Sequence, residues 1–193
     1  MGFGEVVSRC HVTGEGHAVL PLATGLHNAL FELLRVDAED GRVFLIGNGG
    51  SAAVASHIAN DFCNTGGLRA ATFSETAVLT CFTNDYGYEN AYAMLLDREV
   101  RPGDLLIAIS SSGQSANIVS AVERMRARNG AVITLSGFSA LNPLRSLGHL
   151  NFWLDSRRYS HVEIGHLLLL HYLADRIGVE KAGVAHAREI THP

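Results

Sequence analysis

The sequence predicts an α/β protein, a three-layer α-β-α sandwich with a mainly parallel central sheet. Three observations carry this. The best strand candidates are continuous apolar runs rather than alternating ones, the pattern of strands buried on both faces of a parallel sheet. Each run is closed by a loop of glycines or serines. Each such loop opens onto a stretch with helical periodicity, so strands and helices alternate along the chain.

In chain order, the first expected element is a helix over Ala23–Leu34, inside an N-terminal helical extension covering residues 1 to about 40. Val43-Phe44-Leu45-Ile46 reads as the first strand, closed by Gly47-Asn48-Gly49-Gly50. Residues 51–63 then read as a helix opening at Ser51, a good N-cap type. Ala70–Phe73 is a weaker strand candidate. Leu105–Ile109 is a strong one, closed by Ser110-Ser111-Ser112-Gly113. The helix expected over 115–128 opens at Ser115 and puts Ile118, Val119, Val122 and Met125 on one stripe. Ala131–Leu135 is the next strand, ended by Ser136-Gly137. Ser136–Gly148 reads as an irregular connection, and Asn151–Leu154 as a further weak strand. His161–Val179 is a helix with Leu167, Leu170, Leu173 and Ile177 on one side. No repeat, low-complexity tract or change of composition divides the chain, so a single domain over residues 1–193 is expected.

With 193 residues, 47% of them hydrophobic, the chain is long enough to bury a substantial core. The formal net charge of -4, without any basic tract, argues against a nucleic-acid partner. No apolar stretch approaches the length of a bilayer span, which argues against a membrane partner. Cys10, Cys63 and Cys81 are scattered with no C-x-x-C, as reduced thiols in a cytoplasmic protein would be. The N-terminus lacks a basic-then-apolar leader, which points the same way.

Two loops have the chemistry of anion sites. Gly47-Asn48-Gly49-Gly50-Ser51 joins a strand to a helix, where small residues allow close backbone approach and the helix N-terminus offers free N–H groups. It is neither G-x-G-x-x-G nor a Walker sequence, and an ordinary tight turn would read the same. Ser110-Ser111-Ser112-Gly113-Gln114-Ser115 brings hydroxyls and amides to the carboxyl end of a parallel strand, where ligands of open α/β sheets bind. It holds no Lys or Arg, so it would suit the phosphate monoester of a small metabolite. A serine-rich cap is the alternative.

Among the 10 histidines, two groupings stand out. His57 and Asp61 are four apart on one helix face, a spacing that can chelate a divalent metal and that also occurs as a surface hydrogen bond. His161, Glu163, His166 and His171 fall on the last helix. Glu163 and His171 are roughly 12 Å apart along a straight helix. They could serve one metal only if Glu163 lies near the helix start, if the side chains lean together, or if subunits contribute jointly.

Taken together, these segments resemble the SIS-domain (sugar isomerase) phosphoheptose isomerases, which interconvert sedoheptulose 7-phosphate and a heptose 7-phosphate. The resemblance runs from Arg42 to Ile177 and rests on four motifs in order: Gly47–Ser51 with His57 downstream, Asn84-Asp85-Tyr86-Gly87-Tyr88-Glu89, Ser110–Ser115, and the Glu163…His171 helix. It implies the SIS fold, similar to flavodoxin-like doubly wound sheets. It also implies substrate contacts from Asn48, Gly49, Gly50, Ser51, Asn84 and Asp85, and phosphate contacts from Ser110, Ser111, Ser112 and Ser115. His57, Asp61, Glu163 and His171 would be ligands of Zn²⁺ or another divalent metal, and the partner would be a second copy of the chain in a homotetramer. Three positions depart from the family pattern. Asp61 stands where Glu is usual, Glu163 where Gln is usual, and Val54 where Asp is frequent. They mark a divergent branch, and the stretch Asn142–Gly148 resembles SIS proteins of surface-polysaccharide or secondary-metabolite pathways.

The implied reaction is aldose–ketose isomerisation of sedoheptulose 7-phosphate or a similar ketose phosphate through an enediol. Asp61 or Glu163, with His171, would move the proton. The competing reading is a non-catalytic SIS protein, a sugar-phosphate sensor or a binder of the replication initiator DnaA. Such relatives tend to lose the metal and acid/base residues, whereas all four positions here hold metal-capable side chains. A muramic-acid phosphate etherase would be expected to be longer.

Overall fold

The computed structural model describes the backbone of residues 3–191 and the side chains of residues 4–183. In chain order the elements are Phe3–Ser8 (α1), His11–Thr13 (β1), Val19–Leu20 (β2), Leu22–Ala38 (α2), Val43–Ile46 (β3), Gly50–Asn64 (α3), Ala70–Thr72 (β4) and Thr76–Tyr86 (α4). There follow Ala91–Glu99 (α5), Leu105–Ser110 (β5), Ala116–Ala127 (α6), Ala131–Ser136 (β6), Leu150–Trp153 (β7) and Tyr159–Thr191 (α7), with 3-10 turns at Glu15–His17 and Pro143–Ser146.

The strands form one sheet in the order β2-β1-β7-β6-β5-β3-β4. β4, β3, β5, β6 and β7 run parallel; β1 lies antiparallel to β7, and β2 closes that edge antiparallel to β1. Alternate residues of the central strands feed two cores. Leu45, Ile107 and Ile109 pack with Leu33 of α2, Ile58 and Phe62 of α3, and Leu170, Leu173 and Ile177 of α7. Phe44, Ile46, Leu106 and Ala108 pack with Leu95 and Leu96 of α5 and Ile118, Val122 and Met125 of α6. Burial on both sides is why these strands read as continuous apolar runs. The sandwich expected from the sequence is therefore the one observed.

Several elements depart from the expectation. The N-terminal stretch is not simply helical, because it contributes β1 and β2, strands of three and two residues that are too short to show a period. α4 and α5 were not anticipated. α3 begins at Gly50 with Gly49 in the cap position, so Ser51 lies within the first turn and is buried. Ser115 does occupy the cap position of α6, but its hydroxyl bonds to Ser110 rather than to the helix. No helix among the described residues is long and apolar enough to cross a membrane.

β3 is followed outward by β4 on one side, after which the chain crosses to β5 on the other. The loops leaving β3 and β5 therefore diverge around a topological switch point, the crevice where open α/β sheets bind ligands.

Candidate active site

Both anion-type loops open into that crevice. A cavity of about 130 Å³ is lined by Asn48, Ser51, Ser110, Ser111, Ser112, Ser115, Tyr159 and Glu163. Within the serine loop, Gly113 N donates to Ser110 Oγ at 3.1 Å and Gln114 N to Ser112 Oγ at 3.2 Å. Ser111 is 5% exposed, and its Oγ has no hydrogen-bond partner. A buried hydroxyl left unpaired in a cavity wall costs free energy unless a ligand or water completes it. Gly113 has φ +65, and a Cβ there would collide with Asn142 Oδ1. Asn142 holds the outer side of the loop and bonds to the carbonyls of Gly137 at 3.1 Å and Ser139 at 2.7 Å.

The first loop is equally braced. Tyr92 OH donates to Gly47 O at 2.8 Å, and burial, with Tyr88 as a lesser cause, pushes its pKa up to about 12. Tyr88 OH donates to Asn48 Oδ1 at 2.8 Å. Glu163, near the start of α7, lies against Gly50, where a Cβ would strike its carboxylate. The carboxylate thus sits beside the N-terminus of α3, where the helix dipole favours a negative charge.

A second group lies farther along the same two helices. His171 Nδ1 is 3.0 Å from Asp61 Oδ2, and His57 Nε2 is 3.5 Å from that oxygen. The two imidazoles meet edge to face at 4.9 Å between centroids. One ligand atom from each of the three residues lies within 4.8 Å of the others, and all three side chains retain solvent access. Two imidazoles and a carboxylate suit Zn²⁺ or a related divalent ion, so the donor set fits the implied metal.

Three of the four expected metal ligands therefore meet. Glu163 is not among them, because it stands eight residues before His171, about 12 Å along α7. Asn84 and Asp85 also lie elsewhere. They end α4 exposed, with Asn84 Nδ2 donating to Asp85 Oδ1 at 3.0 Å, and they do not line the cavity. Val54, where the family often has Asp, is buried in the core. His166 is fully buried, with Nε2 at 3.1 Å from Ser136 O. His161 Nδ1 is 3.4 Å from Ser156 Oγ. Sequence reasoning missed Asn117, whose amide pairs with Asn48, and Tyr159 in the cavity wall. The one available signal for Asn117 was a polar residue in the first turn after the serine loop.

Residues 22–137 match the family described as the SIS domain. The phosphoheptose isomerase of Thiobacillus denitrificans is 36% identical over 155 residues, covering 76% of this chain and 79% of the relative. The solved phosphoheptose isomerase of Neisseria gonorrhoeae is 32% identical with a TM-score of 0.74, over 81% of this chain and 87% of that one. That of Francisella tularensis is 27% identical with a TM-score of 0.75, over 81% and 85%. The switch-point cavity, the SIS match and these relatives converge: the chain belongs to the phosphoheptose isomerase family of SIS-domain proteins and is a sugar-phosphate isomerase.

Proposed function

We propose that this enzyme interconverts sedoheptulose 7-phosphate, or a ketose phosphate of similar length, with the corresponding aldose phosphate through an enediol. The observation that carries the reading is the unpaired, buried Ser111 hydroxyl in a serine-lined cavity at the switch point. A neutral cradle of hydroxyls, amides and a helix N-terminus suits a phosphate monoester. Ser110, Ser111, Ser112 and Ser115 hold the phosphate in this reading. Asn48, Gly49, Gly50 and Ser51 contact the rest of the substrate. Asn84 and Asp85 join them only if the end of α4 turns inward or serves another copy.

His57, Asp61 and His171 would hold the divalent metal, which when bound supplies an electrophile for the oxygens of the enediolate. Proton transfer falls to Asp61 or Glu163 as the carboxylate and His171 as the imidazole. The base takes a proton from the carbon beside the carbonyl, and a proton returns to the neighbouring carbon, so no atom is gained or lost. Asp61 and His171 lie 3.0 Å apart, so the roles of ligand and proton carrier would exchange between them during turnover. The phosphate anchor fixes the sugar relative to these groups.

The His–Asp–His group lies farther along α3 and α7 than the cavity, whose wall includes Glu163. This favours a homotetramer in which the cavity of one copy faces the metal group of another. Ile164, Leu168 and Tyr172, each about half exposed along α7, offer apolar surface for such packing. A single-domain, cytoplasmic enzyme is consistent with the shared sheet and the free thiols. Incubation with a panel of pentulose to octulose phosphates, with product analysis and metal assay of the same preparation, tests the reading. Failure to convert any of them would overturn it.

A further inference from the structure

Two loops leave the sheet on either side of the switch point, and a pair of amides ties them together. Asn48 Nδ2 donates to Asn117 Oδ1 at 2.9 Å, and Asn117 Nδ2 donates back to Asn48 Oδ1 at 2.9 Å. Asn48 belongs to the loop after β3, whereas Asn117 is the second residue of α6, just past the serine loop. Asn117 is 2% exposed and does not line the serine cavity, so it has no surface to offer a substrate. A carboxamide buried beside Ile118 and Ala121 costs desolvation that an apolar side chain would not. What it gains is a fixed partner.

The hydrogen-bond capacity of Asn48 shows what that partner does. A carboxamide has two N–H donors and an oxygen with two lone pairs. Asn117 Nδ2 and Tyr88 OH take both lone pairs, and Asn117 Oδ1 takes one N–H. One N–H of Asn48 has no partner among the described residues, and Asn48 borders the cavity. With three of four valences satisfied, the direction of the fourth is set. Donors held in place before the substrate arrives cost no reorganisation during the reaction.

We infer that Asn117 is a positioning residue for the isomerisation: it locks the Asn48 amide so that the remaining N–H is presented to an oxygen of the bound sugar phosphate. The inference rests on the reading that Asn48 contacts substrate.

The test is a double-mutant cycle of Asn48→Ala and Asn117→Ala, reading kcat/KM and inhibition by inorganic phosphate. Each single variant should lower kcat/KM by about tenfold, the scale of one hydrogen bond. The double variant should be no worse than Asn48→Ala alone. Phosphate inhibition should stay within about twofold of wild type in Asn117→Ala, because the serine cradle is intact. Asn117→Leu keeps the branched shape and heavy-atom count and removes the amide; it should fold and show the same loss, which separates positioning from packing. Multiplying losses in the double variant would overturn the inference while leaving Asn48 as a substrate contact. So would phosphate inhibition weakening in step with kcat/KM, which would mean that Asn117 merely supports the serine loop. Full activity in Asn48→Ala would instead remove the reading on which the inference stands, and the inference with it.

Discussion

Ser111 and Glu163 face the same cavity with opposite consequences for an anion. The Ser111 hydroxyl is buried and unpaired, so a phosphate oxygen would complete it. Ser111→Ala combined with Ser115→Ala should raise KM for the sugar phosphate by about tenfold or more, since each hydroxyl lost from a charged ligand is worth on the order of 1 kcal/mol. Steady-state kinetics on the folded double variant check this, and an unchanged KM would remove phosphate from the cavity. Glu163 brings a negative charge beside the same space, where the family usually has a neutral Gln. Like charges in a partly desolvated site repel, so Glu163→Gln should bind inorganic phosphate about tenfold more tightly. Its metal content should not change, because the three side chains that would hold the ion, His57, Asp61 and His171, are intact. Titration calorimetry with phosphate, alongside elemental analysis, decides the matter. Unaltered phosphate affinity would place the bound anion away from Glu163.

Elements differ in how plainly the sequence announces them, and the reason lies in what each one packs against. β3, β5 and β6 are legible because both faces of each strand meet apolar helices. α4 is not, because it buries no residue fully and meets the core only through the partly buried Leu79 and Phe82. The serine loop and the His57–Asp61 spacing were readable from local sequence. His171 was not, because it reaches Asp61 only through the side-by-side packing of α3 and α7. α7 also carries His166 into the interior, where burial pushes its pKa down from an ordinary 6.5 to about 4, against a smaller opposing effect of its bond to Ser136. In the unfolded chain this imidazole titrates at its ordinary value. Between the two values the unfolded state binds a proton that the folded state excludes, so stability falls as pH drops from 6.5 towards 4 and this contribution is flat above and below. His166→Gln should therefore show a shallower loss of Tm with acid over that window than wild type. Thermal melts across the pH series measure it, and identical slopes would mean that His166 does not stay neutral in the folded protein.

At the scale of the whole molecule, the arrangement poses a problem of distance. Glu163, in the wall of the serine-lined cavity, stands about 12 Å along α7 from His171 of the metal-type group, and the proposed reaction needs both places. A catalytic site must bring the substrate's phosphate and its reacting carbons to both at once. Either a single chain spans that gap or two copies face each other, cavity to metal group. The second arrangement accounts for the partial exposure of His57 and His171, whose side chains are 55% and 39% accessible in the isolated chain. It also gives the apolar side of α7 at Ile164, Leu168 and Tyr172 a surface to pack against. Complementation separates the alternatives. His57→Ala should abolish the metal site, and Ser111→Ala with Ser115→Ala should cripple the cradle, so each variant alone should be nearly inactive at low substrate. Co-expressed, they would form mixed oligomers if copies of the chain associate. If sites are shared between copies, an intact cradle from one chain meets an intact metal group from the other, and a fraction of the wild-type activity returns. If each chain completes its own site, every site in the mixture carries one defect and no activity is regained. Light scattering on the same preparation must show oligomers, because a stable, active monomer would refute the shared site directly.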